Sequence, residues 1–141
     1  MTVKKTDTAK FLLKLRVYYE DTDAGGVVYY ANYLRFFERA RTEWLRALGC
    51  EQGRLVRETG VVFVARSAAL EYLKPARLDD ELNIFSEIES VGRAQVVFVQ
   101  RAERAGEIIV EARIRIASFD PIRGKAVAMP KEIYEKFKAL L

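Results

Sequence analysis

The sequence contains no histidine. That absence removes Ser-His-Asp and Cys-His nucleophilic catalysis, and it removes zinc sites built on imidazole. Cysteine occurs once, as Cys50, so neither an intrachain disulfide nor a thiolate metal cluster is expected. Such usage suits a reducing compartment, and a cytoplasmic location is the expectation. No apolar run approaches the length that crosses a bilayer, so membrane insertion is not expected. The polar stretch from Met1 to Lys10 lacks the apolar core and cleavage site of a secretory leader. Blocks of like charge are missing too: 24 Lys and Arg against 20 Asp and Glu leave a net charge of +4, scattered along the chain. Scattered charge argues against a nucleic-acid partner, which needs a contiguous basic face. A mildly basic surface still favours a phosphorylated ligand. Acid–base chemistry falls to Asp, Glu, Tyr, Lys or backbone groups.

What is present fits one domain over residues 1–141, half of it hydrophobic and able to bury a core. Phe11 to Glu20 alternates at period two and predicts a strand. Asp21 to Gly26 reads as a loop. Tyr30 to Gly49 predicts a long helix, with Asn32 or Asp23 helping to cap it and Gly49 ending it. Its apolar residues, from Tyr33 and Phe36 to Trp44 and Leu48, cover about half the circumference, wider than a surface helix needs. Arg41 falls inside that arc and is expected to pair with Glu38 at i, i+3. A short helix follows at Glu51 to Glu58. Val61–Leu73, Glu81–Ser90, Ala94–Glu103 and Ile108–Phe119 then read as consecutive strands of an antiparallel meander. Pro130 opens a C-terminal helix over residues 131–141. The expected class is α+β, an antiparallel β-sheet wrapped around a long central α-helix. Val61–Val64 and Val96–Val99 are apolar on both faces, which predicts a homo-oligomer over the outer face, with a crossing loop or the C-terminal helix as the alternative cover.

Chemistry concentrates in Tyr18-Tyr19-Glu20-Asp21-Thr22-Asp23-Ala24-Gly25-Gly26-Val27-Val28-Tyr29-Tyr30. Acids end a strand, two glycines allow close backbone approach, and an aromatic stretch leads into a helix N-terminus. The unpaired N–H groups of a helix start can polarise a carbonyl, and a nearby carboxylate can attack it or activate water. An apolar surround would keep bulk water away from that carboxylate. Equally, Asp21 or Asp23 caps the helix and the glycines only make the turn.

The stretch YYEDTDAGGVVYYANYLRFFERARTEWLR closely resembles the signature of the 4-hydroxybenzoyl-CoA thioesterase family of hotdog proteins, most of all its Tol–Pal-associated YbgC-type acyl-CoA thioesterases. FVARSAALEYLKPARLDDEL, the VFVQR strand and DPIRGKAVAMP match as well, so the resemblance runs from about Leu15 to Lys131. It implies a hotdog fold and thioester hydrolysis, with acyl-CoA as substrate and no metal or separate cofactor, since CoA is part of the substrate. Acyl carrier protein is the other carrier it allows. It implies that Asp23 is the catalytic carboxylate and that the backbone N–H of Tyr30 polarises the carbonyl, with Gly26 and Val27 in the substrate-binding loop. It also implies a dimer, or a tetramer of dimers, with the acyl pocket at the dimer interface. Tyr30 is a departure, because YbgC-type members often carry His there.

Tyr18 contacts the substrate or is a half-buried strand residue. Asp21 is a support or a cap, and Glu38 a second carboxylate or the partner of Arg41. Arg66 and Arg93, with Lys74 and Arg77, are candidates for CoA phosphates, or solvated surface charges. Two rivals stand beside the thioesterase: a hotdog dehydratase, weakened by the absence of histidine, and a non-catalytic module that binds acyl-CoA or acyl carrier protein.

Overall fold

The computed structural model describes residues 10–141; the first nine residues of the polar N-terminal segment lie outside the described part. Its strands are β1 (Lys10–Arg16), β2 (Val62–Tyr72), β3 (Glu81–Val91), β4 (Gln95–Arg104), β5 (Glu107–Asp120) and the short β6 (Lys125–Ala126). Its helices are α1 (Asn32–Ala47), α2 (Gln52–Thr59) and α3 (Lys131–Lys138), and a single 3-10 turn spans Tyr19–Asp21.

The strands form one antiparallel sheet in the order β1-β3-β4-β5-β2, with β6 added beside β5. The expected meander holds for β3, β4 and β5. It fails for β2, which pairs with β5 at the far edge and not with its successor β3. Chain length explains the difference. Leu73 to Asp80 is a crossing segment, too long and too proline-constrained for a hairpin turn. By contrast, β4 and β5 are joined by Ala105-Gly106, both at positive φ (51° and 82°), the conformation of a two-residue hairpin with the twist of the strands. Register shifts at Arg66 in β2 and Glu89 in β3 mark bulges, which bend the sheet around α1.

The concave face packs on α1 as its wide arc requires. Phe36, Phe37 and Ala40 are fully buried, and Trp44 contacts Phe11 and Phe98 with ring centroids 6.1 Å away in each case. Each fully buried aromatic of this kind contributes about 1.5–3 kcal/mol. Leu34 and Ala47, also expected in the arc, are exposed at its margins. Helix α3 joins the same concave side, where Phe137 meets Phe63 and Phe98, so it does not cover the outer sheet face. Val64 and Val99 stay partly exposed there, at 36% and 38%. Edge strand β2 is exposed from Val64 to Ala69.

Candidate active site

The loop between β1 and α1 is held by one buried acid. Asp21 is only 5% exposed. Its Oδ2 accepts the Tyr18 N–H at 2.8 Å and its Oδ1 accepts the Asn32 Nδ2–H at 2.8 Å, while its carbonyl takes the Tyr29 N–H at 2.9 Å. Asp21 thus ties the 3-10 turn to the first residue of α1. These are the bonds of the turn and capping role. Tyr18, expected as a half-buried strand residue or a substrate contact, lies beyond β1 and is 61% exposed.

Asp23 does not cap α1. Its Oδ1 accepts the Gly25 N–H at 2.8 Å, and its backbone closes the turn through Asp23 N–H to Val27 O (2.9 Å) and Gly26 N–H to Asp23 O (3.0 Å). Gly26 adopts φ +78°, where a side chain would be strained. The other carboxylate oxygen of Asp23 has no partner among the described residues. Asp23 itself is exposed, so the water-excluded carboxylate expected from the aromatic surround is not formed within one chain.

The start of α1 is uncapped: Ala31 occupies the N-cap position with no side-chain bond, because Asn32 is turned back to Asp21. Among the described residues the N–H groups of Tyr30 and Ala31 find no acceptor. They are the open donors that a helix start offers to an oxyanion. The Tyr72 hydroxyl donates to Tyr30 O at 3.0 Å, and the Tyr30 ring sits 4.8 Å from that of Tyr29 and 6.3 Å from that of Tyr72. The Tyr30 phenol, and to a smaller degree the Asp23 charge, raise the Tyr29 phenol above its ordinary 10.0.

The crossing segment backs this loop. Val28 N–H donates to Ala76 O at 2.8 Å, and Val27 bridges Arg77. Arg104 fixes the segment by donating to Pro75 O (2.7 Å) and to Asp80 Oδ2 (3.1 Å). Of the four candidate phosphate holders, Arg77 alone is adjacent to Val27. Lys74 is paired with Glu107. Arg66 sits on the β2 bulge, six residues or roughly 20 Å along the strand from Tyr72. Arg93 lies in the β3–β4 turn, whose β4 end pairs with the Ala117 end of β5, away from Tyr72. Both are exposed, and one chain does not bring either to Asp23. Tyr72 and Arg77 reach the loop through long-range contacts, the Tyr72 hydroxyl with Tyr30 O and Arg77 with Val27, which residue spacing does not display.

Glu38 and Arg41 form no ion pair. Arg41 turns inward and its Nη1 donates to Gln100 Oε1 at 3.0 Å, leaving Glu38 exposed. The reason is cohesion on the sheet side: Gln100, 1% exposed, already donates to Phe37 O (3.0 Å) and Ser86 Oγ (2.8 Å), so its oxygen is aimed at Arg41. No cluster of potential metal ligands occurs among the described residues.

An uncapped helix start and an exposed carboxylate on the adjoining turn are groups that acyl transfer can use. Residues 17–137 match the sequence pattern of the Thioesterase-like superfamily. The chain belongs to that superfamily. It is similar to the Haemophilus influenzae protein named acyl-CoA thioesterase YbgC, at 45% identity over 92% of this chain and 96% of that one. It is 47% identical to the acyl-CoA thioester hydrolase YbgC of Escherichia coli O6:H1, over 94% of this chain and 98% of that one. Among solved structures, a probable thioesterase from Bartonella henselae superposes with a TM-score of 0.82 at 34% identity, covering 86% of this chain and all of that one. The hotdog fold expected from the motif is therefore the fold observed. No helix among the described residues is long and apolar enough to cross a membrane.

Proposed function

We propose that this enzyme hydrolyses the thioester bond of acyl-CoA, with Asp23 as nucleophile or general base and the N–H of Tyr30 polarising the thioester carbonyl. Membership in a superfamily of thioester hydrolases, with acyl-CoA thioesterases as relatives, supports the reaction class. The observation that carries the residue assignment is the pairing of groups left open among the described residues: helix-start donors with no acceptor, and a carboxylate with one free oxygen on the adjoining turn. In the general-base form, Asp23 takes a proton from water as the hydroxyl adds to the carbonyl carbon. The oxyanion is held by the Tyr30 N–H. Its collapse breaks the C–S bond, and the thiolate, a good leaving group, departs without strong protonation. Acyl carrier protein is a second carrier for the same chemistry. The site needs no metal.

The exposure of Asp23 and of edge strand β2 supports a dimer, or a tetramer of such dimers. Antiparallel pairing of β2 about its middle residue, Ser67, sets the Tyr72 end of one copy against the Phe63 end of the other. A cytoplasmic enzyme is consistent with the single buried Cys50.

The test is thiol release from short, long and aromatic acyl-CoAs by wild type and Asp23→Asn. The expected loss in kcat is about a hundredfold or more with fold and assembly intact. Acyl-CoA binding without turnover by wild type would instead identify a non-catalytic binding module.

A further inference from the structure

A cavity of 550 Å³ opens between α1, the start of α2, α3 and the sheet, within the size range of about 300–1,000 Å³ that small-molecule sites occupy. Its lining is mixed: Leu45, Phe63, Phe98 and Phe137 form an apolar wall, and Glu38, Arg41, Thr42, Arg46 and Glu51 line the α1 and α2 side. Two cations line it: Arg46, which is paired with Glu43 and Glu51, and Arg41, which the chemistry proposed for the loop does not use. A guanidinium has five N–H donors. Among the described residues Arg41 spends one of them, on Gln100 Oε1, and no carboxylate stands within ion-pair distance. Burial lowers its pKa to about 10, and the charge of Glu38 offsets this only in part. A half-buried cation held against an amide rather than an acid is a costly arrangement that an incoming anion relieves. The backing is rigid, since Gln100 is buried and fixed by Phe37 O and Ser86 Oγ.

We infer that this cavity selects acyl groups whose far end carries a carboxylate, with Arg41 binding that terminus and Gln100 positioning Arg41. The inference rests on the acyl-CoA thioesterase reading and deepens it. The geometry suits a terminus and not the reacting carbonyl: Arg41 lies nine residues, about 14 Å, along α1 from Asn32 at the helix start. The cavity also sits at the Phe63 end of β2, the end that an antiparallel second copy sets against its own Asp23 loop. An acyl chain can thus leave the thioester at one subunit's loop and run along the apolar wall of the other's cavity, where its last group meets Arg41, the lining cation that no carboxylate pairs among the described residues.

The experiment compares succinyl-, adipoyl- and suberoyl-CoA with butyryl-, hexanoyl- and octanoyl-CoA, for wild type, Arg41→Met and Gln100→Leu. Thiol release gives kcat/KM, and calorimetric titration of the matching thioether analogues, which cannot be hydrolysed, gives binding. A charge-assisted contact predicts that wild type favours the carboxylate-ended member of at least one length-matched pair by about ten- to a hundredfold. The ratio should collapse toward one in Arg41→Met and fall partway in Gln100→Leu. Hydrolysis without a carboxylate preference at any length overturns the inference and leaves the thioesterase reading standing. Arg41-dependent binding of carboxylate-ended analogues without hydrolysis upholds the pocket and sinks the thioesterase reading. Loss of the dimer in Arg41→Met with an unchanged ratio makes Arg41 an interface residue and overturns the inference.

Discussion

Replacing Asp21 by Ala should damage both stability and turnover, although Asp21 touches no substrate. The side chain is 5% exposed and accepts two hydrogen bonds, from the Tyr18 N–H and from Asn32 Nδ2, each at 2.8 Å. Truncation leaves both donors without an acceptor. An orphaned buried donor costs about 1–3 kcal/mol, and water can reach the partly buried Tyr18 N–H more readily than Asn32 Nδ2. The sum is about 2–4 kcal/mol, measurable by urea unfolding with linear extrapolation at one fixed protein concentration. The same bonds tie the Asp23 turn to the start of α1, so their loss loosens the geometry that catalysis needs and kcat should fall about tenfold or more. Asn32→Ala completes a double-mutant cycle. If the Asp21–Asn32 bond carries the effect, Asp21→Ala and Asn32→Ala together cost less than their sum by about 1–2 kcal/mol. Additive losses, or an Asp21→Ala protein as stable as wild type, would refute the assignment of Asp21 as the anchor.

Tyr33 is 2% exposed, and its hydroxyl lies near the Ala76 backbone without a hydrogen-bond partner among the described residues, so Tyr33→Phe should stabilise the protein at neutral pH by up to about 1 kcal/mol. Burial raises the Tyr33 pKa above 10.0, so above that pH the unfolded chain releases a proton that the native one retains. Stability therefore falls as pH rises past 10.0, and urea unfolding on either side of that pH should show a shallower fall in Tyr33→Phe; equal slopes would contradict this. Tyr30→Phe keeps the backbone N–H and should lose less than about tenfold in kcat, far less than Asp23→Asn. Losses of the same size in thiol-release assays would assign the chemistry to the phenol. Ser67→Lys places like charges opposite each other at the centre of a self-paired β2 and should shift sedimentation toward the monomer, with turnover falling in parallel; an unchanged assembly would remove β2 as the interface.

The parts of the fold that a sequence displays are those with a local period. Phe36, Phe37, Ala40 and Trp44 announce a helix wrapped by other elements, and they are among its most buried residues. Period two likewise marks β3, β4 and β5 and the side chains each turns inward. Period says which face is buried but not which strand lies alongside. Lys74-Pro75-Ala76-Arg77 reads as a break whether the chain turns back or crosses the sheet, so the pairing of β2 with β5 was hidden. Arg41 shows the same limit. Spacing offers Glu38 three residues away, whereas the residue that holds Arg41 is Gln100, 59 positions along the chain.

Asp21 and Asp23 pose the sharper problem, being the same residue type two positions apart on one turn. Spacing cannot tell which of them is free to react, and only the resemblance pointed to Asp23. The structure supplies a physical reason that does not depend on the resemblance. Asp21 spends both oxygens on Tyr18 and Asn32, and by drawing Asn32 back it also prevents that residue from capping α1. One acid is thereby consumed in opening the helix start, and the next is left with an oxygen to use. What a single chain does not provide is shelter, for Tyr29, Tyr30 and Tyr72 around the loop are 47%, 62% and 47% exposed. Three clustered aromatics at such exposure beside the proposed catalytic carboxylate call for a cover that is itself apolar. The edge of β2 left unpaired among the described residues, which begins at the cavity and ends at Tyr72, is the surface along which a second copy would bring one.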